Sequence, residues 1–199
     1  MEIGKLRIST LKKIKSLNDH RGIRHNPPMI TFRTASIQDS TLIADLVNSA
    51  YRGDSSKKGW TTEADLLGGQ RTDAQKIQEM IEGPTSQMEL AIDSDILGCV
   101  YLNFETKDTL YLGMLTVNPE LQTKGIGKQL LNHVEEVALK KKCHTIRMTV
   151  ISVRTELIAF YERRGYKITG QTEPFPEGDP RFGVPKKKLD FIVMAKTLN

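Results

Sequence analysis

The chain has 199 residues, 38% hydrophobic and 27% charged, which is enough apolar material for a packed core and excludes a wholly disordered chain. No apolar run approaches the ~20 residues of a membrane span, no signal peptide with an apolar centre opens the chain, and Cys99 and Cys143 make neither a disulfide framework nor a structural zinc site. The net charge of +5 sits entirely in residues 1–28, which hold seven Lys/Arg against two acids, while the remainder balances at 22 of each. A neutral body argues against a domain that grips nucleic acid, and the sum of these features predicts an intracellular, cytoplasmic protein.

Residues 1–28 read as a basic, flexible extension. Ile3, Leu6, Ile14 and Leu17 also permit an amphipathic helix with a membrane, nucleic-acid or targeting role, which Asn26-Pro27-Pro28 would end. Residues 29–199 read as one domain with strands and helices alternating. A strand is expected over Ile30–Thr34, then a helix capped by Ser36 and running to Tyr51. Arg52–Gly59 reads as a polar turn region, and a short helix starting at Thr61 or Thr62 is expected to stop at Gly68-Gly69. Asp73 caps another helix, with Ile77, Met80 and Ile81 as its apolar stripe, ending at Gly83-Pro84.

Three strands follow, Met88–Asp93, Ile96–Glu105 and Thr109–Val117, with connections short enough for an antiparallel meander. Gly125–Lys142 is the clearest helix, since Leu130, Leu131, Val134, Val137 and Ala138 recur at helical spacing. Thr145–Val150 reads as a strand, Thr155–Arg164 as a helix closed by Gly165, and Tyr166–Thr172 and Leu189–Lys196 as two last strands around a Pro/Gly-containing loop. There is no internal repeat.

The chemistry concentrates where Leu115-Thr116-Val117-Asn118-Pro119 runs through a short loop into the long helix. Gln122-Thr123-Lys124-Gly125-Ile126-Gly127-Lys128 forms that junction. Small residues there bare backbone N–H groups at the positive end of a helix dipole, and Lys124 and Lys128 add charge, so the physical expectation is a pyrophosphate site. A Walker loop would need glycine at position 122 and Ser or Thr at position 129, where Gln122 and Gln129 stand. A dinucleotide fingerprint would need glycine at position 130, which is Leu130.

This junction resembles the central signature of the GNAT N-acetyltransferases, a strand ending apolar-x-Val-x-Pro followed by [Gln/Arg]-x-x-Gly-x-[Gly/Ala] and a helix. Their second signature has its counterpart in Phe160-Tyr161-Glu162-Arg163-Arg164-Gly165-Tyr166. The resemblance spans residues 29–198. It implies an α+β (mixed α/β) fold in which a mostly antiparallel sheet of six or seven strands, splayed at its centre, is flanked by helices. It also implies acetyl-coenzyme A as cofactor, with no metal. Backbone groups of Leu115, Thr116 and Val117 would pair with the pantetheine arm, and N–H groups of Gln122, Thr123, Lys124, Gly125, Ile126, Gly127 and Lys128 would take the pyrophosphate.

By the same resemblance Tyr161 is the catalytic residue. An amine attacking a thioester builds an oxyanion and then expels a thiolate, and a phenol can protonate the latter. Many relatives carry Asn where Glu156 stands, and it contacts the cofactor arm there. Trp60 and Glu63, with Thr61 and Thr62, are expected to line the acceptor pocket, while Phe175 and Arg181 belong to another wall. Glu63, Glu105 and Glu173 are candidates for a water-linked base, none of them assigned. His133 and His144 lack metal-ligand company and read as structural or solvated, and Cys99 as core. The expected activity is transfer of acetyl to a primary amine of a small molecule or peptide by direct attack in a ternary complex. A catalytically weak acetyl-coenzyme A sensor or adaptor is the alternative. Homodimers are common in the family, and no residue pattern decides that point.

Overall fold

A computed structural model describes residues 30–176, 178 and 183–199. Expectations for residues 1–28 and for Arg181 lie outside that range. The elements are β1 (Thr31–Thr34), α1 (Ser40–Tyr51), α2 (Gly53–Ser56), β2 (Leu67–Gly68), α3 (Ala74–Glu82), β3 (Ser86–Asp93), β4 (Asp95–Phe104) and β5 (Thr109–Val117), then α4 (Ile126–Lys140), β6 (Thr145–Ile151), α5 (Thr155–Glu162), β7 (Lys167–Pro174), β8 (Val184–Pro185) and β9 (Asp190–Thr197). Seven strands form one sheet in the order β1-β3-β4-β5-β6-β9-β7. Every pairing is antiparallel except β5 with β6.

Helices cover both faces because each has one apolar stripe to bury. On α4, Leu130, Val134 and Ala138 are fully buried against sheet residues such as Leu102, Leu110 and Ile146. On the opposite face Ile43 and Val47 of α1 and Ile77 of α3 meet Met88 and Leu90. Each such side chain contributes about 1.5–3 kcal/mol by leaving water. Cys99 belongs to this second core and Cys143 to the first, both as free thiols.

The feature that positions the site is the parting of β5 and β6. They pair only over Thr109–Tyr111 and Thr145–Arg147. Beyond Tyr111, Met114 and Leu115 of β5 face Val100 alone, a bulge in which Met114 takes φ +50°. A bulge raises local twist, so β5 turns away from β6 and its edge is left without a strand partner.

Two expectations at the start of the domain are corrected. Residues 61–68 form no helix: Leu66 and Leu67 N–H make one turn back to Glu63 O, and Leu67–Gly68 then pairs with Val184–Pro185. Leu67 is drawn out of a local helix by a remote cluster with Ile151, Phe175 and Leu189. The region read as a polar turn contains α2, whose Ser56 hydroxyl donates to Gly53 O at 2.7 Å. Other boundaries shift by one to a few residues, as helix and strand ends do.

Candidate active site

The floor of the site is the loop between β5 and α4. Asn118 Oδ1 accepts the Glu120 N–H at 3.0 Å and starts a tight turn, after which Thr123 and Gly125 both adopt left-handed backbone, φ +73° and +83°. Glycine takes that conformation without strain, and nothing lies within 4 Å of where a Gly125 side chain would begin. The first hydrogen bond of α4 runs from Gln129 N–H to Gly125 O. The N–H groups of Ile126, Gly127 and Lys128 therefore have no carbonyl within the helix and form an anion-binding terminus.

Above this floor is a cavity of about 290 Å³. Leu115, Val117, Gln122, Thr123, Gly125, Ile126, Gly127, Lys128 and Tyr161 all line it. Two of the expected residues do not: Thr116 is buried with its hydroxyl on Met114 O, and Lys124 is exposed beside the loop. Arg163 and Arg164 join Lys128 on the wall. They sit in the second signature without being singled out by sequence, although two adjacent arginines one helical turn beyond Phe160 were a legible signal. Arg164 stacks 3.5 Å over the Phe160 ring and donates to Phe160 O at 2.6 Å, which fixes its position.

Another wall is Trp60, whose ring is tilted 48° against Phe160 with centroids 5.3 Å apart. Gln122 holds it there: Trp60 N–H donates to Gln122 Oε1 at 2.8 Å, and Gln122 Nε2 donates to Thr61 Oγ1 at 2.7 Å and Val117 O at 3.2 Å. A Cβ at Gly59 would lie 2.7 Å from Gln122 Oε1 and would push the amide aside. Trp60 and Thr61 thus face the glycine-loop cavity, not a separate acceptor pocket.

Tyr161 stands at the inner end. Its ring packs edge-on against Phe160 and Tyr166, and no group among the described residues hydrogen-bonds its Oη. Burial raises its pKa well above 10.0, with Tyr51 and Tyr166 adding to the effect, so the phenol is a proton donor at neutral pH. Beside it, Tyr51 Oη donates to Leu115 O at 2.6 Å, and burial, then Glu63, pushes its pKa up to about 12. Val117 O likewise holds Gln122, and both carbonyls keep a second lone pair for an incoming strand-like chain.

Beyond Tyr161 a smaller cavity of about 100 Å³ opens between the diverging strands. Tyr51, Leu115, Leu157 and Tyr161 belong to both cavities, so the two meet at the phenol. Glu63 is on the wall of the smaller one, its Oε2 held by Arg52 at 2.6 Å. Glu105 and Glu173 are both taken by Arg147, at 2.7 and 3.2 Å. Phe175 is core, and His133 pairs with buried Glu89 at 2.7 Å while stacking on Phe32. His144 is exposed. Glu156 lines neither cavity; it accepts a hydrogen bond from Arg154 Nε at 2.6 Å. Among the described residues no group of three His, Cys, Asp or Glu is arranged to hold a metal.

Comparisons with known proteins place this geometry. The model of the acetyltransferase (GNAT) family matches residues 46–166. Uncharacterized protein YdhI of Bacillus subtilis is 33% identical over 73 residues, 37% of this chain, so the match spans under half, 44%, of that relative. The S-alkylcysteine N-acetyltransferase of the same organism is 28% identical over 152 residues, 71% of this chain and 81% of its own. Among solved structures, yncA, an acetyltransferase from Salmonella typhimurium with its cofactor acetyl-CoA, shares the fold at TM-score 0.61 with 18% identity, covering 85% of this chain and 94% of that one.

Proposed function

The chain belongs to the GNAT acetyltransferase family, and from that premise we propose that it moves an acetyl group from acetyl-coenzyme A to a primary amine by direct attack while both substrates are bound. The observation that carries this reading is the position of Tyr161, a buried, protonated phenol on the wall common to two cavities. One cavity has the features an acyl-coenzyme A needs, and the other is left for an acceptor.

The fit rests on the residues. The N–H groups at the start of α4 and the open space over Gly125 suit a pyrophosphate, and Lys128, Arg163 and Arg164 supply charge to it. The unpaired edge of β5 at Leu115–Val117 offers backbone groups to a pantetheine arm. Acetyl-coenzyme A supplies an activated thioester. Trp60 and Phe160 give the cavity an aromatic wall, and Tyr161 Oη holds the proton that the departing sulfur requires. The name of the S-alkylcysteine N-acetyltransferase relative supports a small amine as acceptor.

The test is thiol release from acetyl-coenzyme A across pooled amines, with wild type beside Tyr161→Phe. Acceptor-dependent release is expected, falling about 10²–10⁴-fold in the variant with acetyl-coenzyme A affinity unchanged. An unchanged rate would remove Tyr161 from the mechanism.

A further inference from the structure

The smaller cavity holds a buried guanidinium that the fold hydrogen-bonds through one of its three nitrogens. Arg154 is 4% exposed and lines this cavity. Its Nε donates to Glu156, but among the described residues neither Nη1 nor Nη2 has a hydrogen-bond acceptor. Glu63 Oε1 is 3.8 Å from Nη1, beyond hydrogen-bond range, and the other oxygen of Glu63 is engaged by Arg52. A buried guanidinium with two idle nitrogens costs free energy that a bound anion would recover. Its planar fork matches a carboxylate through two parallel hydrogen bonds. Arg71 lies on the same wall.

We propose that the acceptor is an amine bearing a carboxylate next to its nitrogen, the α-amino acid class, and that Arg154 binds that carboxylate. This rests on the acetyl-transfer reading above. About 100 Å³ holds a carboxylate with its adjacent carbon and nitrogen and little more. Tyr161, common to both cavities, puts that nitrogen beside the cofactor cavity. The acceptor side chain leaves through a wider groove of about 480 Å³, which shares Arg71, Tyr111 and Met114 with the small cavity and adds the apolar surfaces of Met80 and Tyr101. Apolar side chains of moderate length suit that groove.

The experiment compares wild-type transfer to a panel of α-amino acids, their carboxamides and the corresponding decarboxylated amines, with acetyl-coenzyme A binding measured by titration on the same protein. We expect kcat/KM for the preferred amino acid to exceed that of its carboxamide by about 10²-fold or more, because loss of the carboxylate leaves Arg154 unpaired again. Arg154→Gln should raise KM for the amino acid by about 10²-fold, leave acetyl-coenzyme A affinity intact and narrow the discrimination against the carboxamide, and Arg154→Lys should restore part of it. The wild-type comparison keeps the test independent of whether the variants fold. Equal use of carboxamide or decarboxylated amine overturns the carboxylate subsite while acetyl transfer stands, as does acetyl-coenzyme A binding with no amino acid used. Failure to bind acetyl-coenzyme A overturns the activity on which the proposal rests.

Discussion

Tyr161 shows how burial rather than a charged partner sets a proton inventory. Its ring is buried against Phe160 and Tyr166, and that burial raises its pKa well above 10.0. Burial also raises Tyr51 and Cys99 to about 12 each. A group whose folded value is raised contributes stability that is fully present below its unfolded value and lost as pH rises through the folded one. The fold should therefore keep its stability through neutral pH and lose it progressively from about pH 9 upward, as the unfolded chain sheds Cys99 and tyrosine protons first. Urea unfolding between about pH 8 and about pH 11 checks this. The midpoint should fall in wild type and fall less steeply in Tyr161→Phe, whereas equal slopes would mean that Tyr161 is not enclosed as described.

At the level of elements, the Gln122 side chain ties the Trp60 segment to the end of β5. Gln122 makes two hydrogen bonds to that segment and a third to Val117 O, and Gly59 leaves the room for it. Gly59→Ala should displace the Gln122 amide, and Gln122→Ala should remove it, each costing about 1–3 kcal/mol and raising KM for acetyl-coenzyme A. Because both act through the same contacts, the double variant should cost little more than either single one. Additive costs, measured by denaturant unfolding, would show that the clamp is not the shared cause. The β5–loop–α4 junction was legible in the sequence because Pro119, Gly125 and Gly127 punctuate a strand and a strongly periodic helix. The role of the Gln122 side chain was not, since its partners Trp60 and Thr61 are distant in sequence. The same holds for β2 with β8, where Leu67 answers to Phe175 and Leu189 instead of its neighbours. Arg154 has no sequence signal at all: next to Thr155 at a helix start it reads as surface, and only the divergence of β5 and β6 encloses it.

For the molecule as a whole, the sheet's central parting turns a stable fold into a site. Two cores, one on each face, back the seven strands, and at the centre of the sheet β5 bulges at Met114 and leaves β6. The glycine loop, Tyr161 and Arg154 all border that gap. The proposed function puts acetyl-coenzyme A on the Gly125 side of that gap, where the N–H groups at the start of α4 would receive its pyrophosphate. The most direct test is calorimetric titration of acetyl-coenzyme A into wild type and Gly125→Glu. Position 125 faces open space with φ +83°, so the substitution adds about 1–2 kcal/mol of local backbone strain and a negative charge where the pyrophosphate should sit. Saturable one-site binding in wild type, abolished in a variant that remains folded, is the result expected. Undiminished affinity in Gly125→Glu, or no binding to wild type, would contradict the account.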